Sequence, residues 1–281
     1  MNKGRLYVVA TPIGNLEDMT ARGLRILREA DLIACEDTRH SKRLLDHYAI
    51  QTPLTSYHEH NEAQKADVLL GELERGRNLA LITDAGTPGI SDPGYRIVRA
   101  ARQAGFEVVT VPGPSACAAA LAVSGLPTDR FTFHGFFPRK RGEADRLLDE
   151  IARSGGTHVF YESPHRLVDA LEAVAARLPE CEVCVARELT KIHEEVALGT
   201  PGELATRYGA GTVRGECVLL VYCEAGAGEK AWGPEEIRER VDAVMDSEGL
   251  SRRDAVRRVA AELDLPRNAV YEAATGGEDQ G

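Results

Sequence analysis

The sequence predicts an α/β protein: two α/β domains in succession, then a small helical tail. Three observations predict it. Short apolar runs of strand length alternate with amphipathic stretches of helical length as far as residue 223. Most of those runs end in a polar or Pro/Gly-bearing loop. Past Ala225-Gly-Ala-Gly228 the strand-like runs stop and helix-like stretches remain.

Residues 6–10 read as a buried strand leading into Thr11-Pro12-Ile13-Gly14-Asn15-Leu16. Thr20 is placed to cap a helix over 21–30. Residues 31–35 form a second strand that runs straight into Glu36-Asp37-Thr38-Arg39-His40, ahead of a short helix over 41–48. The third strand, 54–57, is followed by the polar His58-Glu59-His60-Asn61 and by a helix over 62–75 with Val68, Leu69 and Leu73 inward. The fourth, 79–82, breaks into residues 83–93, which hold two glycines, two prolines and two aspartates. A helix over 94–104 and a strand over 107–111 lead to Pro112-Gly113-Pro114-Ser115, where Ser115 can cap an alanine-rich helix through 123. This alternation predicts a mainly parallel, doubly wound sheet in a domain of residues 1–124.

The second domain, 125–225, repeats the pattern with shorter elements: strands over 131–133, 157–161, 182–186, 196–198 and 216–223, and helices over 143–153 and 202–208. Between them, Ser163-Pro164 opens a helix in which Leu167, Leu171, Val174 and Leu178 recur at helical spacing. Residues 226–281 make a linker and tail. Their helices, over 234–246, 255–263 and 267–274, fit a helix-turn-helix pattern, with Ser251-Arg-Arg-Asp254 capping the second.

Bulk properties narrow the class. A chain of 281 residues, 43% hydrophobic and 28% charged, supports more than one packed core. No apolar run approaches the ~20 residues of a membrane span, and the amino terminus is too brief for a signal peptide, so a cytoplasmic protein without a membrane partner is expected. The six cysteines (35, 117, 181, 184, 217 and 223) are then expected to be reduced core residues. Cys181-Glu-Val-Cys184 has metal-ligand spacing but no second pair and sits in an alternating strand, so no metal is expected. A net charge of −10 argues against nucleic-acid binding over the whole surface and leaves room for a local basic face. The tail supplies one: residues 250–270 carry five arginines against three acids. It reads equally as a nucleic-acid contact and as a small helical bundle or dimerisation element.

In a doubly wound sheet the polar strand ends share one edge and form a cleft, which a second domain would close. The loop over 83–93 exceeds the usual 2–6 residues of a βα connection, which marks it as a binding loop. It holds no lysine or arginine, and the chain carries neither a phosphate-binding lysine loop nor GxGxxG after a strand. A ligand of little negative charge is expected: a nucleoside, an amino acid or a sulfonium.

Several motifs, in order, carry a more specific likeness: LYVVATPIGN (6–15), EDTRH (36–40), LITDAGTPGISDPG (81–94), VPGPSA (111–116), FYESPHR (160–166) and RELT (187–190). Together they resemble the tetrapyrrole-methylase superfamily, and within it the branch that methylates ribosomal RNA, over residues 4 to 223. The resemblance implies two α/β domains of tetrapyrrole-methylase type with the cofactor cleft between them, S-adenosylmethionine as cofactor and a homodimer. It implies 2′-O-methylation of a cytidine in the decoding region of 16S ribosomal RNA, with the small ribosomal subunit as partner. By position it implies cofactor contacts from Thr11, Pro12 and Gly14, from Gly86, Thr87, Pro88, Gly89 and Ile90, and from Ser115 and Ala116. Tyr161, Glu162, Leu189, Glu216 and Cys217 would supply the second domain's wall.

A ribose hydroxyl attacks poorly until its proton leaves, so a base within hydrogen-bond reach is expected. Asp37, Glu36 and Glu162 are candidates, with His58 a fourth. Asp37 reads almost as well as an ion-pair partner of Arg39 or a cap for the following helix. Arg139, Lys140 and Arg141 form the densest cationic run and are candidates for RNA backbone contact on a mobile loop, or a solvated turn. His165 and Arg166, expected in a helix's first turn at the cleft, and Arg39, His40, His58 and Lys191 complete the RNA-contact candidates. Two other readings stay open: a methyltransferase acting on a small tetrapyrrole, and a helix-turn-helix nucleic-acid binder whose α/β part senses a ligand.

Overall fold

The computed structural model describes residues 3–226, 233–263 and 265–275. Part of the expected linker over 225–228, Asp264 and the last six residues lie outside them. The chain forms two compact units, Met1–Gly228 and Glu229–Gly281.

The first unit opens with β1 (Arg5–Val9), α1 (Ala21–Glu29), β2 (Leu32–Cys35), α2 (Thr38–His47), β3 (Leu54–Ser56), α3 (Glu62–Glu74), β4 (Leu79–Leu81), α4 (Tyr95–Gln103) and β5 (Glu107–Val111). The strands pair in parallel in the order β3-β2-β4-β1-β5. The chain runs out to β3, then reverses. Ile26, Leu27 and Leu45 of α1 and α2 therefore pack on one face with Val9, Ile33 and Ala80. Leu69, Leu73, Ile97 and Ala101 of α3 and α4 pack on the other with Leu6, Leu79 and Leu81. Because every strand is parallel, all five carboxyl ends meet at one edge.

Thr20 caps α1 by accepting from the Gly23 amide. Two local expectations change. Helix α2 begins at Thr38 rather than Ser41, because the Asp37 side chain accepts from the Arg39 amide and starts the helix early. Val68 is 56% exposed, because Ala66, Leu69 and Leu73 already fill the inward stripe of α3.

Next come α5 (Ala116–Ser124), β6 (Phe131–Phe136), α6 (Arg141–Ser154), β7 (Gly156–Glu162), α7 (Leu167–Arg177), β8 (Glu182–Arg187), β9 (Glu195–Gly199), α8 (Pro201–Gly209) and β10 (Cys217–Cys223). The second sheet has the order β6-β7-β10-β8-β9, with only β6 and β7 parallel. One face packs against α6, α7 and α8 through Leu148, Leu171, Val174 and Leu204. The other receives Ala120 and Leu121 of α5, together with Ile13 from the loop after β1. The helix that ends the first sheet's run thus covers the second sheet and joins the two.

Three further expectations are corrected. Helix α7 starts at Leu167, after a turn closed by the Arg166 amide on the Ser163 carbonyl, so His165 and Arg166 precede the helix. Arg141 opens α6 instead of ending a loop. Not all six cysteines are free: Cys181 and Cys223 are disulfide-bonded. The antiparallel register pairs Tyr222 with Glu182, so the next step sets Cys223 opposite Cys181, with Cα atoms 4.9 Å apart. Cys184, three residues on, faces the opposite side of the sheet, which separates it from Cys181. Cys35, Cys117, Cys184 and Cys217 are free and buried.

The second sheet also buries a histidine pair. His158 Nε2 donates to the Gly155 carbonyl (3.2 Å), which leaves Nδ1 to accept from His134 Nε2 at 2.9 Å. Burial holds both imidazoles below their usual value of 6.5. A depressed histidine favours the folded state above pH 6.5 and loses that contribution as the pH falls and the unfolded chain takes up the proton. Urea unfolding at pH 7.5 and 5.5 is expected to show a smaller acid-side loss in His158→Gln than in the unsubstituted protein. Asp92 and Glu162, whose carboxyls are raised, act in the opposite sense in both proteins.

In the second unit α9 (Pro234–Glu248), α10 (Arg252–Glu262) and α11 (Arg267–Thr275) pack Ile237, Val241, Val256, Val259 and Val270 into one core. Arg257 and Arg258 are ion-paired with Asp254 and Glu248. Among the described residues no helix is long and apolar enough to cross a membrane.

Candidate active site

The loops at the carboxyl edge of the first sheet are tied together. Thr11 and Gly86 exchange both backbone hydrogen bonds, at 2.8 and 3.1 Å, and the buried Thr11 hydroxyl donates to the Thr83 carbonyl at 3.0 Å. Thr87 Oγ1 donates to the Pro114 carbonyl at 3.1 Å. The connections after β1, β4 and β5 therefore form one assembly. Gly86 takes φ +83° within it, a backbone that disfavours side chains.

Against this assembly lies a cavity of about 360 Å³, within the range of small-molecule sites. Its first wall is Ile13, residues 85–87 and 90–92, Ser115 and Ala116. Its second wall comes from the other sheet: Phe136, residues 161–164, Ala186, Leu189 and residues 216–218. Register explains that wall. Val218 lies opposite both Tyr161 and Ala186, so three strands contribute one row, and Cys217 sits opposite Glu162 in the next. Phe136 arrives through a β-bulge. In a regular strand Phe133 and Phe136 would face opposite sides, but the register shifts between them and Gly135 takes φ +73°. Both rings then meet Tyr161, at centroid distances of 4.9 and 6.0 Å. Phe136 stays 60% exposed while lining the cavity.

The polar groups are few. Glu162 is buried; Oε1 accepts from the Ser163 amide at 2.7 Å and pairs with Arg166 at 3.2 Å, while Oε2 has no partner. Burial raises its carboxyl despite those two donors. Burial likewise raises the Tyr161 phenol and pushes the Cys217 thiol up to about 11. Asp92 is pushed up to about 6 by burial first and then by the Glu36 carboxylate.

The expected cofactor residues divide into two sets. Gly86, Thr87, Ile90, Ser115, Ala116, Tyr161, Glu162, Leu189, Glu216 and Cys217 line the cavity. Thr11, Pro12, Gly14, Pro88 and Gly89 stand behind it or beside it. Thr11 and Pro12 are buried supports, and Gly14 lets Lys191 pass, since a Cβ there would lie 2.6 Å from Lys191 Cγ. Ser115 precedes α5 without a side-chain cap bond; its hydroxyl faces the Tyr161 phenol.

Of the candidate bases, only Glu162 lines the cavity. Glu36 accepts from Thr83 Oγ1 at 3.1 Å, and His58 closes a turn with Asn61. Asp37 caps α2, and the Arg39 amide holds its carboxyl below the usual range. Among the cations, Arg39, His40, Arg139, Arg141 and His165 are exposed. Lys140 pairs with Glu143, Lys191 with Glu188 and Glu216, and Arg166 with Glu162.

Sequence reasoning missed Ile13, Ala85, Ser91, Asp92, Phe136, Ser163, Pro164, Ala186 and Val218 as cavity residues. Ile13, Ala85, Ser91, Asp92, Ser163 and Pro164 sit inside motifs already singled out, so proximity could have found them. Ala186, Val218 and Phe136 depend on strand register and a bulge, which leave no local signal.

The comparisons with known proteins agree with this architecture. The profile of the Tetrapyrrole (Corrin/Porphyrin) Methylases family matches residues 5–205. A protein of Halalkalibacterium halodurans named ribosomal RNA small subunit methyltransferase I is 44% identical over 276 residues, covering 96% of this chain and 94% of its own. A protein of the same name from Escherichia coli O157:H7 is 44% identical over 286 residues, covering 100% of this chain and 97% of its own. Among solved structures, uroporphyrin-III-C-methyltransferase from Thermus thermophilus superposes with a TM-score of 0.55 at 24% identity, covering 80% of this chain and 96% of its own. Diphthine synthase does so with a TM-score of 0.61 at 15% identity, covering 78% and 90%. At those identities the likeness to the solved structures is one of fold. The chain belongs to the tetrapyrrole (corrin/porphyrin) methylase family, and groups there with the proteins named ribosomal RNA small subunit methyltransferase I.

Proposed function

We propose that this protein transfers a methyl group from S-adenosylmethionine to ribosomal RNA of the small subunit, at the ribose 2′-hydroxyl of a cytidine in the decoding region. The observation that carries the reading is the cavity itself: apolar walls, a glycine-backed loop without cations, and one buried carboxylate oxygen left without a donor. That set of groups fits S-adenosylmethionine, whose ammonium and sulfonium groups are cationic and whose adenosine is apolar in its faces. Near-full-length identity with proteins named for rRNA methylation supports RNA as the acceptor.

Gly86, Thr87 and Ile90 would hold the cofactor with Ser115 and Ala116 from one side, and Tyr161, Glu162, Leu189, Glu216 and Cys217 from the other. Thr11, Pro12, Gly14, Pro88 and Gly89 would support that loop geometry. When bound, the cofactor supplies an already electrophilic methyl. The chain's own contribution is then to place a ribose oxygen in line with it, to exclude water and to accept a proton. Arg39, His40, Arg139, Arg141 and His165 would meet the RNA backbone around the mouth. We further propose that the protein works in the cytoplasm as a homodimer.

Incubation with tritiated S-adenosylmethionine and small subunits lacking the modification is expected to label one nucleotide and to block alkaline hydrolysis at that ribose. Mass spectrometry of the digested RNA reads its identity. Labelling of a precorrin with none of the RNA would overturn the proposal, as would salt-dependent duplex DNA binding without any transfer.

A further inference from the structure

We propose that Asp92 is the base that takes the proton from the ribose 2′-hydroxyl during transfer, an assignment that rests on the methyl-transfer reading above. Three carboxylates line the cavity: Asp92, Glu162 and Glu216. Two are already engaged by cations. Glu216 accepts from Lys191 Nζ at 2.9 Å and its side chain is 79% exposed. Glu162 Oε1 is held by Arg166 and the Ser163 amide, and its side chain is fully buried.

Asp92 has no cationic partner among the described residues. The charges that face it are negative: Glu36 at the end of β2, and Asp84 on its own loop. Asp84 Oδ1 accepts from the Asp37 amide at 3.2 Å, which fixes it in place. The neutral groups turned toward Asp92 are the Thr83 hydroxyl and, from the second sheet, the Tyr161 phenol. Thr83 has one hydrogen to give, and Glu36 Oε2 takes it at 3.1 Å. Asp92 is thus a half-buried carboxylate on the cavity wall with repulsive neighbours and no compensating ion pair. Such a group binds a proton more tightly than an ordinary aspartate, in keeping with its shift to about 6, and is still largely ionised at neutral pH.

The step balances without a further reactant. The oxygen–methyl bond forms as the methyl–sulfur bond breaks, the electron pair of the broken bond stays on sulfur, and the hydroxyl proton moves to the Asp92 carboxylate and then to water.

The test uses the full-length protein with small subunits that lack the modification. Asp92→Asn keeps the shape of the side chain and is expected to lower kcat by roughly 100-fold or more, the usual reach of a general base. Calorimetric affinity for S-adenosylmethionine and filter-binding affinity for the subunit should stay within about threefold, on the scale of effects small beside a tenfold change. The kcat/KM profile of the unsubstituted protein is expected to fall below about pH 6, where Asp92 takes up its proton. Glu36→Gln removes the facing charge and should move that acid limb to lower pH. The Asp92 carboxyl resonance of the cofactor-free protein, assigned by its loss in Asp92→Asn, should shift in the same direction. An Asp92→Asn protein that keeps more than a tenth of its turnover, or an acid limb that Glu36→Gln leaves in place, overturns the assignment. If the unsubstituted protein transfers no methyl to the RNA, the functional reading itself fails, which separates the two failures.

Discussion

Replacing Gly86 by valine is expected to weaken S-adenosylmethionine binding by roughly 100-fold, from about 1–3 kcal/mol of backbone strain and the occlusion that comes with it. Gly86 sits at φ +83°, where a β-branched residue is an outlier, and it is buried on the cavity wall. Its Cβ would lie 3.6 Å from Ile13 Cγ2 and 3.9 Å from the Pro114 carbonyl, so the valine methyls add bulk to a packed stretch of the cavity lining. Strain there also loads the paired backbone of Thr11, which both supports the loop and anchors it to Thr83. The neighbouring Gly89 makes the control. It shares φ +83° but is exposed, and its Cβ would meet only the Tyr95 amide, at 3.9 Å. Gly89→Val should cost about tenfold, by strain alone. Calorimetry distinguishes the two, while filter binding of the RNA at low salt should change little in either. Equal losses in both variants would mean that the cavity wall is not where the cofactor sits.

Arg166→Met is expected to destabilise the first unit by about 3 kcal/mol, and to lower its Tm by roughly 6–12 °C. The Glu162 side chain is fully buried and Arg166, itself 28% exposed, is its cationic partner. The same guanidinium donates to the carbonyls of Phe137 and Pro138 at 3.0 and 3.2 Å. Methionine keeps the apolar stem and removes every one of these contacts. The sign with pH is opposite to that of an ordinary paired acid. The Glu162 carboxyl is already raised, and without Arg166 it rises further. A raised acid contributes stability below its unfolded value, 4.5, and loses it as the pH climbs through the folded value. The penalty of Arg166→Met should therefore be largest at pH 7 and shrink toward pH 4.5, measured by urea unfolding. A variant with unchanged Tm and weakened RNA binding would instead place Arg166 in the RNA contact.

The alternation of apolar runs carried the doubly wound sheet because parallel strands buried on both faces read as continuous hydrophobic stretches, as Leu79–Leu81 does. Thr20 was legible as a cap, since capping depends on residues three positions apart. The loop after β4 was legible as unusual because glycine and proline advertise backbone conformation locally. What escaped depends on distant partners. Nothing near Asp92 in sequence tells that Glu36, 56 positions earlier, faces it. The Cys181–Cys223 pairing follows from the antiparallel register of β8 and β10, which no local spacing of the cysteines displays. Phe136 turns toward the cavity only because Gly135 adds a residue to β6. Ser163-Pro164 has the composition of a helix start, yet the Arg166 amide closes a turn on Ser163 and delays the helix to Leu167.

The bonds that tie Thr11 to Gly86 and Thr87 to Pro114 have a consequence for descent as well as for stability. Three connections joined in this way are inherited as one piece, because a change in any of them disturbs the other two. The opposite wall is built differently, from residues on four separate strands and the loops beside them, with a bulge that one glycine permits. Lineages that share this architecture but modify different acceptors are therefore expected to diverge first at positions such as 136, 161 and 218, while the wall around Gly86 drifts slowly.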